Sequence, residues 1–457
     1  MTMPPVAIED AALTRLLSRA RVLVVDDEAG MRNFLMKTLA PFCQAVEVAG
    51  TTAEADAQLD RGNFDIVILD NIMPGLKGLD WLAEQRRRGG FAETIMITAY
   101  ADLETAIEAL RAGASDFVLK PFRSNQLLNA VRRALQMAQL RRENLLLRHE
   151  LASGDTGPGR RNRLIGSSAS IAAVRDMLAR VAGVSTPLLI TGASGTGKEV
   201  AARHLHGVSD RADRPFVPIN CAAIPPDRIE AELFGHVAGA LPGIAEGREG
   251  FLPSAQGGTV FLDEVAELGP AAQSALLRVV EDGRMRPIGA VRDLALDLRF
   301  VLASSRPLEP EVAAGRFRQD LFFRINVLQI DMPPLRQRET DVIDLAELFL
   351  TEIAQRQSLA PLQMDSTTRA ALLRHDWPGN IRELRNFIER ALIFGRFPLE
   401  TLAPAQRQAD GIEPLDAVER RLILRALDLT GGNRSEAARR LGISRKTIDR
   451  KCAGWGL

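Results

Sequence analysis

The sequence predicts an α/β multidomain protein: a doubly wound parallel sheet, a P-loop α/β domain with a helical lid, and a small all-α unit. Three observations predict it. Short aliphatic runs alternate with amphipathic stretches over residues 21–123 and again from Leu164 to roughly Pro333, the pattern of parallel strands covered on both faces by helices. Ser153 to Arg163, rich in Gly, Pro and Arg, reads as a linker, and Pro404 to Gly411 as a second one. The last 46 residues are helical in pattern, with a Gly431-Gly-Asn433 break. A chain of 457 residues is too long for one core, and about three domains are expected.

The boundaries follow these shifts: an extension over 1–20, a first α/β unit over 21–140, a linker helix and loop over 141–163, a second α/β unit with a helical block over 164–400, and an all-α unit over 412–457. From Gln126 to about Leu151 the pattern is one long helix with Leu140, Leu147 and Leu151 on a stripe, suited to dimerisation or to packing on its own domain.

Composition narrows the class. With 46% apolar and 25% charged residues and no long apolar run, no membrane span or secretory signal is expected. Cys43, Cys221 and Cys452 lie far apart without metal spacing and read as reduced thiols of a cytoplasmic protein. A formal net charge of zero means that any nucleic-acid contact is local. Seven Lys/Arg against two Asp/Glu between Thr430 and Leu457 mark the place. His204-x-His206 lacks an acidic or Cys partner at ligand spacing and reads as two ordinary helix residues, and His236 as a packed or hydrogen-bonded residue.

In the first unit, Arg21–Val25, Phe64–Leu69 and Thr94–Ile97 read as buried parallel strands, with Asp26-Asp27, Asp70 and Thr98 at strand ends and Lys120 before Pro121. Chemistry in open α/β sheets collects at the carboxyl ends of the strands, so these residues are expected in one crevice. Asp26, Asp27 and Asp70 suit Mg²⁺, an oxygen-seeking ion. Asp70 suits a carboxylate nucleophile forming an acyl phosphate, with Thr98 and Lys120 bonding the new oxygens. Tyr100, the chain's one tyrosine, stands where an aromatic can swing between rotamers. The segment, with Asp70-Asn-Ile-Met-Pro-Gly and Lys120-Pro-Phe, resembles the receiver domain of two-component response regulators. The resemblance implies Asp70 as phosphoacceptor, Asp26 and Asp27 as metal ligands, Thr98, Tyr100 and Lys120 as switch residues, and a sensor histidine kinase as phosphodonor.

In the second unit, Leu188-Leu-Ile-Thr leads into Gly192-Ala-Ser194-Gly195-Thr196-Gly197-Lys198-Glu199. Glycines let a loop wrap a phosphate with its N–H groups inward, and Lys198 supplies charge to the outer phosphates of ATP. The strand Gly257-Gly-Thr-Val-Phe-Leu-Asp263-Glu264 supplies a metal-shell carboxylate and a base for the attacking water. Residues 164–399 resemble the AAA+ domain of NtrC-like enhancer-binding proteins, activators that work with RNA polymerase carrying sigma-54. The resemblance implies Asn220 as restraint on the catalytic glutamate, Arg318 and Arg324 as arginines reaching a neighbouring subunit's nucleotide, and Ser305 and Arg382 as sensors. Glu199 agrees with the family, whose P-loop normally reads Lys-Glu. A dimer, or a hexameric or heptameric ring, is the assembly it implies.

The departures are specific. Ser304-Ser305 stands where the family has Thr followed by Asn or His, and Ala193 replaces a usual Glu. The family signature GAFTGA, whose Phe and Thr contact sigma-54, here reads Gly239-Ala240-Leu241-Pro242-Gly243-Ile244. Proline removes a backbone donor, and the threonine hydroxyl is gone. ATP binding and hydrolysis are expected to stand, and sigma-54 engagement is expected to be lost.

At the C-terminus, Leu415, Val418, Leu422, Ala426 and Leu429 form one apolar stripe for dimerisation or core packing. Ser435–Leu441 reads as a short helix, Gly442 as a turn, and Ser444 as the cap of a second helix. That arrangement is a helix-turn-helix, placing Arg445, Lys446, Thr447, Arg450 and Lys451, with Arg434, toward promoter or enhancer DNA. Gly432-Asn-Arg-Ser-Glu-Ala-Ala resembles the Fis-type reader of the same family. The whole reading is a phosphorylation-responsive, DNA-binding AAA+ ATPase. Its alternatives are a repressor or anchor in which nucleotide sets only oligomeric state, or a sigma-54 activator with an unusual contact loop.

Overall fold

The computed structural model describes residues 14, 16–75, 77–90, 92–99, 103–152, 164–244, 246–402 and 415–455. The chain divides into two compact units, Met1–Phe397 and Pro398–Leu457. None of the described helices is long and apolar enough to cross a membrane. All three cysteines are free thiols.

The first sheet joins β1 (Arg21–Val25), β2 (Ala45–Ala49), β3 (Ile66–Asp70), β4 (Glu93–Thr98) and β5 (Asp116–Leu119) in the order β2-β1-β3-β4-β5. Each pair is parallel. Side chains alternate between faces, so Val22, Val24, Ile66 and Ile68 enter one core while Leu23, Val25, Val67 and Leu69 enter the other. Each such side chain contributes about 2 kcal/mol on burial. This two-sided demand is why the strands read as continuous aliphatic runs.

The long helix runs Ser124–Ala152. Leu127, Ala130, Val131, Ala134 and Leu135 pack into the first core, whereas Leu140 is 58% exposed. Packing on its own domain therefore accounts for the first half of the helix. Leu147 and Leu151 fall among side chains outside the described residues, as does the linker 153–163.

The second sheet contains β6 (Leu188–Thr191), β7 (Phe216–Asn220), β10 (Thr259–Asp263), β13 (Arg299–Ser304) and β14 (Leu328–Asp331) in the order β14-β6-β13-β10-β7, all parallel. Two small antiparallel ribbons, β8 (Gly235–His236) with β9 (Arg248–Glu249) and β11 (Arg284–Met285) with β12 (Leu294–Ala295), project from it. A helical lid follows, with helices Asp341–Gln357, Ser366–Arg374 and Asn380–Phe394. Between the two sheets, Arg292 of the β11–β12 ribbon donates to Gln85 Oε1 at 3.1 Å and pairs with Asp60.

The second unit contains helices Leu415–Leu429, Arg434–Leu441 and Arg445–Gly454. Its core is Ile423, Ala426, Ala437, Ala438, Ile448 and Cys452. Core packing does not explain the expected stripe: Leu415, Leu422 and Leu429 are exposed, because Ile423 rather than Leu422 turns toward the Arg434–Leu441 helix. Of the five, Ala426 alone is in the core. The Pro404–Gly411 linker lies outside the described residues.

Candidate phosphoacceptor, nucleotide and DNA sites

At the carboxyl edge of the first sheet, carboxylate oxygens of Asp26, Asp27 and Asp70 all lie within 4.8 Å of one another. Asp26 and Asp70 are buried and Asp27 is exposed, so the cluster opens on one side to solvent. Lys120 Nζ reaches in from the end of β5, 2.7 Å from Asp70 Oδ2 and 3.3 Å from Asp26 Oδ2. Burial pushes the Asp26 carboxyl up, against the Glu28 amide and the Lys120 charge. Burial alone would lower Lys120, but its hydrogen bond and attraction to Asp70, with the charge of Asp26, hold it above the ordinary lysine value. One cation thus balances two sequestered carboxylates, and the oxygen donors that remain fit a hard divalent ion. Thr98 is buried at the end of β4, and its carbonyl accepts from the Lys120 amide at 2.8 Å. Tyr100 lies outside the described residues.

At the second sheet, the loop after β6 enters the helix Lys198–Gly207 through Gly197, whose φ of 95° suits glycine. Lys198 is buried, and its Nζ donates to Gly192 O at 3.0 Å and stands 3.8 Å from Glu264 Oε1. Asp263 ends β10 in parallel register with Asn220 at the end of β7. Burial raises the Asp263 carboxyl, opposed by the charge of Lys198. Glu264, beside it, holds a left-handed backbone with φ 55° and ψ 50°. A non-glycine residue there costs on the order of 1 kcal/mol, a strain found where a side chain must be aimed.

What aims it is Ser305. The Ser305 hydroxyl donates to Glu264 Oε2 at 2.7 Å and the Ser305 amide to the same oxygen at 3.0 Å. Both donors hold Oε2, while Oε1 is turned toward Lys198. The expected sensor thus contacts the candidate base directly. Asn220 Oδ1 accepts from the Ala222 amide at 3.0 Å, capping the turn after β7. Arg203 Nε donates to Glu199 Oε1 at 2.8 Å, so Glu199 braces its own helix. Arg382 Nη1 donates to Ser194 Oγ at 2.8 Å, which brings the lid arginine onto the phosphate loop. Arg318 and Arg324 are exposed, with Arg318 paired to Asp320 at 2.6 Å.

The loop over residues 239–244 closes on itself. Leu241 and Ile244 form a bridge, and the Ile244 amide donates to Leu241 O at 3.2 Å. Gly243 has φ 78°, so Pro242-Gly243 occupy the central positions that suit a type II turn. The Val237 amide donates to Ile288 O at 3.0 Å, tying the loop base to the β11–β12 ribbon. His236 is buried beside it, and His206 contacts Thr259 Oγ1 at 3.0 Å.

In the second unit, Asn433 caps the Arg434–Leu441 helix and Ser444 Oγ accepts from the Thr447 amide, starting the Arg445–Gly454 helix. Arg445, Lys446 and Arg450 are exposed along it. Lys451 instead ties the helix to its neighbour, 2.8 Å from Asp416 and 2.6 Å from Glu419. Arg434 and Arg445 both face Asp449, at 3.2 and 3.6 Å.

Residues 22–132 match the response regulator receiver domain family, 164–331 the sigma-54 interaction domain, 336–405 the AAA+ ATPase lid domain, and 414–453 the Fis family of bacterial regulatory proteins. The transcriptional regulatory protein ZraR of Salmonella typhimurium is 40% identical over 437 residues, 93% of this chain and 97% of that protein. The chain belongs to the NtrC-like response regulators. The response regulator protein PilR of Pseudomonas aeruginosa is 37% identical, over 94% of this chain and 98% of its own length. The crystal structure of NtrX from Brucella abortus in complex with ADP covers 96% of this chain and is itself covered fully, at 32% identity and a TM-score of 0.52. Like other NtrC-like response regulators, the chain joins a receiver and an ATP-binding AAA+ domain of sigma-54 interaction type to a helix-turn-helix that binds DNA.

Sequence reasoning missed two residues that contact the loop over residues 192–198, Asn380 through Ser194 O and Arg338 through Thr196 O. Asn380 lies inside the motif Trp377-Pro-Gly-Asn-Ile-Arg382, so a signal was present. Arg338, wholly buried, stands in a charged stretch, Arg336-Gln-Arg-Glu, that reads as surface.

Proposed function

We propose that the chain controls transcription as a DNA-bound regulator that takes a phosphoryl group on Asp70 and hydrolyses ATP in a self-assembling AAA+ ring. Its phosphodonor is a sensor histidine kinase and its target RNA polymerase. The observation that carries the enzyme reading is the pinned carboxylate. Glu264 presents one oxygen toward Lys198 while Ser305 holds the other, which is the arrangement of a general base oriented by a second group. Asp26, Asp27 and Asp70 are the residues to hold Mg²⁺ in the receiver and Asp263 in the nucleotide site, where the ion supplies positive charge to phosphate oxygens. Arg318 and Arg324, exposed on one segment, suit delivery to a neighbouring subunit, which makes turnover depend on assembly.

Output through sigma-54 is not part of this reading. Pro242 carries no amide proton and no hydroxyl, and the Leu241–Ile244 turn leaves a short apolar tip. A second reading, a sigma-54 activator with an unusual contact loop, is favoured by the match of residues 164–331 to the sigma-54 interaction domain.

Steady-state ATP turnover by the full chain tests the enzyme reading. Glu264→Gln is expected to lose roughly 100-fold or more in kcat, the usual worth of a general base. Parental turnover in that variant removes Glu264 as the base, and no turnover in the parent leaves the repressor or anchor in which nucleotide sets oligomeric state.

A further inference from the structure

A phosphate loop works only if its amides face the phosphates, and its carbonyls then need donors elsewhere. The donors are identifiable residue by residue. Gly192 O accepts from Lys198 Nζ at 3.0 Å, and Ala193 O from Thr196 Oγ1 at 2.8 Å. Gly197 O accepts from the Ala201 amide at 3.0 Å, as the first turn of the helix. The three carbonyls between them are held from the lid side. Ser194 O accepts from Asn380 Nδ2 at 3.0 Å, Gly195 O from the Ile381 amide at 2.9 Å, and Thr196 O from Arg338 Nη2 at 2.5 Å.

The two side chains are built for this contact. Asn380 is 2% exposed, has φ 52°, and anchors its Oδ1 on the Leu335 amide at 2.9 Å. Arg338 is fully buried, and its Nε donates to Pro333 O at 2.9 Å. Burial brings its guanidinium down to about 10, which still leaves it charged at neutral pH. The fit is close: a Cβ on Gly195 would lie 2.5 Å from Gly379 O.

We propose that Asn380 and Arg338 are positioning residues for ATP, holding the outward carbonyls of Ser194 and Thr196 so that the loop amides stay turned toward the phosphates. Neither side chain touches nucleotide in this scheme; they set the shape of what does. The inference rests on the nucleotide-binding reading above and adds that the lid, through these two residues, is a structural half of the phosphate loop.

The test uses the full chain, with a fluorescent ATP analogue for affinity and steady-state turnover for KM and kcat. Asn380→Gly keeps the left-handed backbone and removes the donor; Arg338→Met removes the other donor, and Arg338→Lys returns one. Asn380→Gly and Arg338→Met are each expected to raise Kd and KM for ATP about ten-fold, with kcat at saturation within about two-fold, and Arg338→Lys is expected to recover most of the loss. Should Asn380→Gly fail to fold, Asn380→Asp replaces it, since it keeps the bond from the Leu335 amide and the same prediction. A folded variant with parental Kd and KM, or one that loses kcat at constant KM, overturns the proposal. A parent chain that binds no ATP overturns the nucleotide reading, and this one with it.

Discussion

Ser305 and Glu264 are joined by two hydrogen bonds to a single carboxylate oxygen, from the serine hydroxyl at 2.7 Å and its amide at 3.0 Å. The pair spans the ends of β13 and β10, neighbouring strands, and explains why Glu264 sustains a left-handed backbone. Removing the hydroxyl leaves the amide bond and loosens the aim of Oε1. Ser305→Ala is therefore expected to lower kcat about ten-fold with little change in KM, and Ser305→Thr to stay near the parent. A raised KM at constant kcat would instead mean that Ser305 acts on the nucleotide.

In the receiver, Lys120 offsets two buried carboxylates. Lys120→Met leaves Asp26 and Asp70 facing each other uncompensated, a loss of about 3 kcal/mol. The receiver's melting transition is expected to fall by roughly 10 °C without divalent ion and to recover in part when Mg²⁺ is added. A transition indifferent to both changes contradicts the shared charge balance.

His206 gives a pH dependence. Burial, aided by the charges of Arg299 and Arg203, lowers its pKa below the ordinary 6.5, despite backbone hydrogen bonds that raise it. The unfolded chain then binds the proton more readily, so the stability contribution is full above 6.5 and is lost as pH falls through the window below it. The urea midpoint is expected to fall between pH 7.5 and 5.5, and to fall less in His206→Gln. Equal falls in both proteins remove His206 as the cause.

The Arg445–Gly454 helix carries two kinds of cation. Lys446 and Arg450 are exposed, whereas Lys451 is bound to Asp416 and Glu419. Lys446→Ala and Arg450→Ala are expected to weaken DNA binding and, where a phosphate contact is lost, to reduce its salt slope by about 1. Lys451→Met is expected to lower the melting temperature of the three C-terminal helices with the salt slope unchanged. The reverse pattern would place Lys451 on DNA.

Much of this was legible because it is local. The runs at Arg21–Val25 and Ile66–Asp70 are aliphatic because both faces of the sheet are covered, so their carboxyl-end aspartates could be placed in one crevice. Ser444 as a helix cap follows from its neighbours alone. The rest depends on approach between distant segments. Asn380 meets Ser194 across 186 positions and Arg338 meets Thr196 across 142, and no spacing encodes such contacts. The resemblance implies Ser305 only as a sensor, and its bond to Glu264 is not legible because it depends on the backbone twist at Glu264. The Leu415–Leu429 stripe was ambiguous because amphipathicity marks an apolar face without saying what covers it.

The proposed function pairs retained ATP turnover with a loop in which Leu241 and Pro242 no longer serve sigma-54 engagement. The most direct measurement is transcription reconstituted on the chain's own promoter, with polymerase carrying either sigma-54 or the housekeeping sigma factor, in parent and Leu241→Phe/Pro242→Thr proteins. The parent is expected to give no sigma-54 output while turning over ATP, and the double variant to gain some. Strong sigma-54 output from the parent, dependent on Glu264, would contradict the account.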